Sequence, residues 1–288
     1  MHAPLFLLGS RPTMPAQFRD LFSAGPGSII EMLKNPPHPR ELGWDLRTLD
    51  DPRVVKGEYV EVGRPDYKLI QAHRDGSFLL RGTAGENLLS WASSRSKFPG
   101  LRINPVVVAE LTYHFVQFSS QLLPHFVEQP SQIQLSIGLR HAHLSEEERL
   151  YVLPYEVDTS GWKWAHEVNV APEDEMNRDV VVNTTELISH CDEAAYKLVA
   201  EFYAWFGVTS NAVLPGWVKT AMAERSARAQ AEQRGISVEE VWRERAALYP
   251  QNRVLQPREV AEVIAFLCSD AAGGVNGEAI TVALGGIW

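Results

Sequence analysis

The segment Gly207-Val-Thr-Ser-Asn-Ala-Val-Leu-Pro-Gly-Trp-Val-Lys-Thr220 decides how the C-terminal part of the chain is interpreted. Its apolar run predicts a β-strand over residues 208–214 that ends at a Pro-Gly turn. A second strand is predicted over residues 278–284, after a long stretch of helical pattern. Two strands joined by such a crossover form a βαβ unit, in which the strands are parallel.

Three helices are predicted between these two strands. The first covers residues 221–233. The second covers residues 237–248, where Ser237 and Glu240 have the spacing of a capping box. The third begins at Pro257, because proline fits the first turn of a helix.

Two further stretches complete the pattern, Pro257-Arg-Glu-Val-Ala-Glu-Val-Ile-Ala-Phe-Leu-Cys-Ser-Asp270 and Asn276-Gly-Glu-Ala-Ile-Thr-Val-Ala-Leu-Gly-Gly286. In this order, residues 207–288 resemble the C-terminal segment of the short-chain dehydrogenase/reductase family. The resemblance implies an α/β, Rossmann-like segment that lacks the first half of the doubly wound sheet.

The resemblance also implies where a nicotinamide cofactor, NAD or NADP, would bind. Pro215 and Gly216 would lie against the nicotinamide ring, and the backbone of Val218 would bind its carboxamide. Thr220 would hydrogen-bond to the carboxamide or the pyrophosphate, and the helical insert 221–250 would be a mobile lid. Glycine permits close backbone approach, and proline removes a donor that would otherwise be buried unpaired.

The proton-transfer pair of that family is missing from the sequence. The family uses Tyr-x-x-x-Lys, in which the lysine lowers the tyrosine pKa toward neutrality. None of the eight tyrosines has a lysine four residues later. Tyr196 and Lys197 are adjacent instead, and adjacent side chains do not face each other on a helix. No catalytic residue is therefore assigned.

The glycine-rich loop that holds dinucleotide phosphates at a helix N-terminus is also missing. Ala24-Gly-Pro-Gly27 has a different spacing and no predicted strand before it, so a turn between helical pieces is the better interpretation. Only the nicotinamide side of a cofactor site is therefore visible. The residue that distinguishes NAD from NADP belongs to the missing half.

Residues 1–206 are predicted to form an α+β domain, since strands and helices do not alternate there. The clearest signal is a hairpin over residues 67–81 with a two-residue type I′ turn at Asp75-Gly76. The other predicted elements are helical pieces within 15–34, strands over 58–62, 132–139, 162–170 and 179–183, and helices over 105–126 and 192–206, capped by Asn104 and Asp192. The change of pattern places a domain boundary near residue 207.

A second resemblance rests on Pro36-Pro-His-Pro-Arg-Glu-Leu-Gly-Trp-Asp-Leu-Arg47 and Lys68-Leu-Ile-Gln-Ala-His-Arg-Asp-Gly-Ser-Phe-Leu-Leu80. Residues 17–207 are similar to the region that follows Schlafen/AlbA-type domains in uncharacterised bacterial proteins. The nucleic-acid-binding domain of those proteins has no counterpart in this chain, so no residue role is carried over. Together the two resemblances imply a chimera of two C-terminal pieces.

The composition of the chain limits which kinds of binding partner are expected. The net charge of −9 argues against non-specific binding to a phosphate backbone. Cys191 and Cys268 lack the spacing of a metal site or a disulfide framework. The first residues lack the basic region of a signal peptide, so a cytoplasmic protein without a membrane partner is expected.

Two clusters of polar residues carry weaker signals. His141-x-His143 has a spacing that metals use, but no third ligand is evident, and no metal site is predicted. The second cluster is a group of arginines around Trp44, namely Arg40, Arg47 and Arg53. A loop pinned by salt bridges is preferred there over an anion site.

Three functions agree with these patterns. The first is a non-catalytic accessory, regulatory or remnant protein with a dehydrogenase-like C-terminal segment. The second is an NAD(P)-dependent oxidoreductase that acts on an alcohol or ketone through an atypical acid or a partner subunit. The third is an interaction module of a nucleic-acid-associated system. The resemblance also implies a homo-oligomer formed through the C-terminal segment.

Overall fold

The computed structural model describes residues 4–36, 43–48, 50–91, 101–145, 148–152 and 169–286. The chain divides into two compact units, Met1–Val208 and Thr209–Trp288, which we call the front unit and the tail unit. Of the strand predicted over 162–170, residues 162–168 lie outside the described residues, as does Arg40, and the last two residues form β9.

The described strands are β1 Leu5–Pro12, β2 Arg53–Val55, β3 Tyr59–Gly63, β4 Lys68–His73, β5 Phe78–Thr83, β6 Arg102–Ile103, β7 Gln132–Arg140, β8 Tyr151–Val152, β9 Asn169–Val170, β10 Met176–Asn183, β11 Ala212–Pro215 and β12 Ala279–Val282. Seven of them form one sheet in the order β10-β7-β1-β5-β4-β3-β2. Every pairing in that sheet is antiparallel. A three-stranded sheet, β6-β8-β9, completes the front unit.

The described helices are α1 Ile29–Lys34, α2 Pro105–Leu122, α3 Thr184–Ser189, α4 Cys191–Trp205, α5 Ala221–Arg234, α6 Val238–Ala247 and α7 Pro257–Leu267. Short 3-10 turns follow at Leu123–His125 and Asp270–Ala272. In the front unit, α2 and α4 pack against each other and against the sheet. None of the described helices is both long and apolar enough to span a bilayer.

The buried helix predicted after Asn104 is confirmed as α2. The Asn104 side chain accepts a hydrogen bond from the Val106 amide at 3.0 Å and so satisfies one unpaired donor of the first turn. The Phe115 ring lies stacked on Phe78 of β5, with ring centroids 4.9 Å apart. The apolar core of the front unit therefore lies between α2 and the large sheet.

The hairpin predicted at residues 67–81 is confirmed, but its two-residue type I′ turn is wrong. The His73 amide bonds to the Ser77 carbonyl at 2.8 Å, and the Gly76 amide bonds to the His73 carbonyl at 3.1 Å. Three residues therefore form the loop. Gly76 has φ +79°, whereas Asp75 is not left-handed. Asp75 instead accepts a hydrogen bond from the Ser77 amide at 3.0 Å, which suits a turn followed by a glycine bulge.

Two helix predictions in the front unit are wrong in part. Within 15–34, only α1 is helical, and Phe18 instead forms an isolated antiparallel bridge with Phe126. The ring centroids of these two residues are 4.5 Å apart, so Phe18 makes a long-range contact and is not part of a helix face. The helix predicted over 192–206 is confirmed as α4, but its N-cap is His190, and Asp192 lies in the first turn.

The tail unit contains the predicted parallel pair, since β11 and β12 are parallel with three helices between them. Among the described residues, these strands pair only with each other. β11 begins later than predicted because Asn211 is bound through its side chain. Its Oδ1 accepts from the Glu278 amide at 3.1 Å, and its Nδ2 donates to the Val275 carbonyl at 2.8 Å.

Candidate functional site

The four predicted cofactor-binding residues follow one another at the carboxyl end of β11. Pro215 ends the strand, and the Gly216 amide donates to the Val282 carbonyl of β12 at 3.0 Å. Val218 forms a parallel bridge with Leu255. The segment 215–220 is thus held on one side by β12 and on the other by the chain that enters α7.

Thr220 begins the helical insert. Its Oγ1 accepts a hydrogen bond from the Ala223 amide at 3.2 Å, which makes it the N-cap of α5. The hydroxyl proton is still available to a ligand, because a hydroxyl can donate while it accepts. The predicted bond from Thr220 to a carboxamide or pyrophosphate stays a prediction.

Tyr249 lies against the predicted site from the end of the insert, and the sequence did not point to it. Its side chain is buried, with 3% of the residue exposed. Its hydroxyl oxygen accepts a hydrogen bond from the Trp217 amide at 2.6 Å. A Cβ built on Gly216 would lie 2.7 Å from that oxygen, and a Cβ built on Gly286 would lie 2.6 Å from the ring. Both glycines therefore make room for Tyr249.

Arg245 of α6 is the buried charge of the tail unit, with 5% exposed. Its guanidinium lies 3.8 Å from the ring centroid of Trp217 and 4.9 Å from that of Trp242, so it is held between two indoles. Its three hydrogen-bond acceptors on α5 are the Ala223 carbonyl, Ser226 and Gln230. Burial lowers the pKa of Arg245, and Glu224 opposes that shift.

The helical insert forms a small structure of its own around α5 and α6. Ser237 caps α6 by accepting from the Glu240 amide at 3.1 Å, as the predicted capping box requires. At the ends of these helices, Arg234 and Glu244 form a bidentate ion pair with N–O distances of 2.5 and 2.8 Å. This hydrogen bonding lowers the pKa of Glu244.

The spacing of Trp242 and Arg245, three residues apart on a predicted helix, was the available signal for this cluster. The position of Trp217 over the guanidinium depends on the tertiary fold and had no such signal.

The described tyrosines include no counterpart of the proton-transfer pair. The pKa values of Tyr67, Tyr113 and Tyr203 are all raised, chiefly by burial. A tyrosine that transfers protons near neutral pH needs the opposite shift. Lys197, adjacent to Tyr196, lies 3.3 Å from Glu186.

The histidine cluster of the front unit has other members than the sequence pattern suggested. Ligand atoms of His141, Asp174 and Glu175 lie within 4.8 Å of one another, and His143 is outside this group. The His143 amide already donates to one Asp174 oxygen at 2.9 Å, and both acidic residues are exposed. The absence of a metal site stays a prediction.

Two arginines of the group near Trp44, Arg47 and Arg53, are bound within the protein. Arg47 pairs with Asp45, and Arg53 pairs with Glu61, each with a shortest N–O distance of 2.6 Å. These two pairs agree with the preferred interpretation, a segment pinned by salt bridges.

Comparisons with known proteins concern the tail unit and the last helix of the front unit, α4. Residues 190–286 match the family model described as enoyl-(acyl carrier protein) reductase. The chain is 33% identical over 109 residues to D-beta-hydroxybutyrate dehydrogenase of Cupriavidus necator, which covers 34% of this chain and 42% of that relative. It is 38% identical over 76 residues to a putative ketoacyl reductase of Streptomyces coelicolor, which covers 26% of this chain and 29% of that relative.

Solved structures match over a similar share. A short chain dehydrogenase family protein from Francisella tularensis has a TM-score of 0.32 and 29% identity, over 35% of this chain and 42% of that chain. The chain thus spans less than half of the length of these relatives. The match begins at residue 190, earlier than the predicted start at 207, and so includes α4. Residues 190–286 therefore resemble the C-terminal segment of the short-chain dehydrogenase/reductase family.

Proposed function

We propose that the protein is a non-catalytic accessory or regulatory protein, or a remnant, that carries an oxidoreductase-like tail. One observation carries this proposal. Among the described residues, the parallel strands β11 and β12 pair only with each other, and the large sheet of the front unit is antiparallel throughout. A dinucleotide site needs a parallel strand followed by a glycine-rich phosphate loop and a helix. In the front unit, β6 is parallel to β8 and leads into α2, but it has two residues and only Asn104 separates it from the helix, so this described strand offers no such loop.

The proposal agrees with the chemistry of the side chains. The pKa values of Tyr67, Tyr113 and Tyr203 are raised. A raised pKa opposes proton transfer by a tyrosine near neutral pH. NAD or NADP would meet only the half-site of Pro215, Gly216, Val218 and Thr220. Because the pyrophosphate would lack its cradle of helix amides, we expect the affinity for either cofactor to be very low.

A cofactor titration tests this function. The protein is titrated with NADH and NADPH up to roughly 1 mM and binding is followed by calorimetry, since weaker binding corresponds to less than about 4 kcal/mol. We expect no saturable binding. Saturable binding with cofactor-dependent turnover would refute the proposal, provided that Thr220→Ala abolishes the turnover. Thr220→Ser is the matched control, because serine retains both the helix cap and the hydroxyl.

An NAD(P)-dependent oxidoreductase completed by a partner subunit is the second candidate. The apolar side chains of α7 favour it, since no residue of that helix is buried and Ile264 and Phe266 are 46% and 48% exposed. Parallel sheets are normally covered on both faces, so this surface suits another chain, including a second copy. Two matched relatives are named as a dehydrogenase and a ketoacyl reductase, which fits alcohol and ketone chemistry. Light scattering during the same titration distinguishes this candidate, because binding would then follow assembly.

A further inference from the structure

We propose that Tyr249 is an internal occupant of the half-site, and that its ring takes the space in which a nicotinamide ring would lie. This inference rests on the proposed half-site of Pro215, Gly216, Val218 and Thr220. It adds a reason, beyond the missing phosphate loop, why the tail does not bind a cofactor.

The first argument is the shape of the space at the ends of the two parallel strands. Gly216 follows β11, and Gly286 lies after β12. The Tyr249 side chain packs directly against both glycines. A Cβ added to Gly216 would lie 2.7 Å from a Tyr249 atom, and one added to Gly286 would lie 2.6 Å from another. Real Cβ atoms essentially never approach other atoms so closely. The two glycines and the tyrosine therefore fit one another as a set.

The second argument is the reason for glycine at residue 216. Its φ does not lie in the left-handed region, so the backbone conformation is open to any residue. Only lack of space excludes a side chain there. Because the atoms nearest to that space belong to Tyr249, the need for glycine comes from the tyrosine in this structure.

The third argument is that three backbone donors near the half-site are already used. The Trp217 amide donates to the Tyr249 hydroxyl, and the amides of Gly216 and Lys219 donate to carbonyl groups of Val282 and Leu255. A carboxamide that bound the Trp217 amide would have to displace the tyrosine hydroxyl.

The fourth argument is that Tyr249 is fixed from both sides. Arg245 stacks on the Trp217 ring, 3.8 Å from its centroid, and so holds the residue whose amide binds the hydroxyl. Pro250 lies next in the chain, 3.3 Å from a Cβ built on Gly285. The occupant is thus part of the packed tail and not a side chain that swings freely.

A double-mutant cycle tests the occupancy. Gly216→Ala, Tyr249→Ala and the double variant are compared with the unchanged protein by hydrogen exchange of the β11 and β12 amides. Overpacking predicts that Gly216→Ala speeds exchange about tenfold when Tyr249 is present, and less than about twofold in the Tyr249→Ala background. Equal effects in both backgrounds would overturn the proposal. Where Tyr249→Ala does not fold, Tyr249→Leu replaces it, because leucine is too short to reach Gly216.

Nicotinamide itself is the probe for the second part of the inference. At millimolar concentration it should restore slow exchange in the Tyr249→Ala variant and leave the unchanged protein and Tyr249→Phe unaffected, since ligands stabilise only the state that binds them. No restoration in Tyr249→Ala would overturn the competition between the two rings. This readout is separate from the NADH titration, so a failure of the proposed function and a failure of this inference are distinguishable.

Discussion

The two units of this chain are stabilised in different ways. In the front unit, a continuous apolar cluster extends from the large sheet to α2 and α4 and includes the stacked pair Phe78 and Phe115. In the tail unit, the apolar cluster consists of Ala227, Ala231 and Val241. The tail unit is also stabilised by a guanidinium between two indoles, by helix caps and by ion pairs. The difference indicates that a large apolar core stabilises the front unit, whereas local and polar contacts contribute more to the tail unit.

The largest effect that separates the two units concerns Phe115. Phe115→Ala should lower the free energy of unfolding of the front unit by about 4 kcal/mol, because it removes a fully buried ring and leaves a cavity. Urea denaturation followed by circular dichroism measures the change. Phe266→Ala in the tail is the matched control and should change stability by no more than about 0.5 kcal/mol. Similar costs for the two substitutions would contradict the comparison.

A second difference is the buried lysine of the front unit. Lys68 is 3% exposed and donates to the Asp45 carbonyl. Burial lowers the pKa of Lys68 from 10.5 to about 8, and Asp45 opposes that shift. Between pH 8 and 10.5 the unfolded chain therefore binds more protons than the folded one, so the stability contribution of this group rises with pH in that window.

The expected rise from Lys68 is about 3 kcal/mol between pH 8 and 10.5. Lys68→Met removes the titrating group, so its free energy of unfolding, measured across this window, should lack that rise. Lys34→Met alters an exposed lysine and should keep the pH dependence of the unchanged protein. Parallel pH profiles for the unchanged protein and Lys68→Met would show that the lysine is not desolvated as the structure indicates.

The smallest of the three effects concerns the polar centre of the tail. Arg245→Ala should destabilise the α5–α6 pair by about 2 kcal/mol, because it removes two cation–π contacts and the hydrogen bonds to α5. Hydrogen exchange of the α5 and α6 amides measures the loss. Arg243→Ala, which changes an exposed neighbour, is the control. Rapid exchange already in the unchanged protein would favour the mobile lid predicted from the family resemblance.

The sequence allowed the elements of the tail to be predicted because they depend on local signals. The capping box at Ser237 and the proline at residue 257 act within one helical turn. The contacts of Tyr249 could not be predicted in this way. They join Gly216 and Gly286, each more than thirty residues away in the chain, and depend on how the strand ends converge.

The front unit shows the same limit. The first strand, β1, was not predicted, although it pairs with both β5 and β7 in the interior of the sheet. Its partners lie far along the chain, so nothing local distinguishes its short apolar run from a loop.

The resemblance of residues 17–207 to the region after Schlafen/AlbA-type domains and the cytoplasmic location stay predictions.

Helix α4 has a consequence for where the chain can be divided. Its sequence belongs to the dehydrogenase match, which starts at residue 190, yet its apolar side packs in the front unit, where Phe202 meets Phe6 edge to face. The family match therefore begins inside a compact unit, one helix ahead of the boundary between the units. The segment defined by sequence likeness and the unit defined by packing thus overlap in this helix.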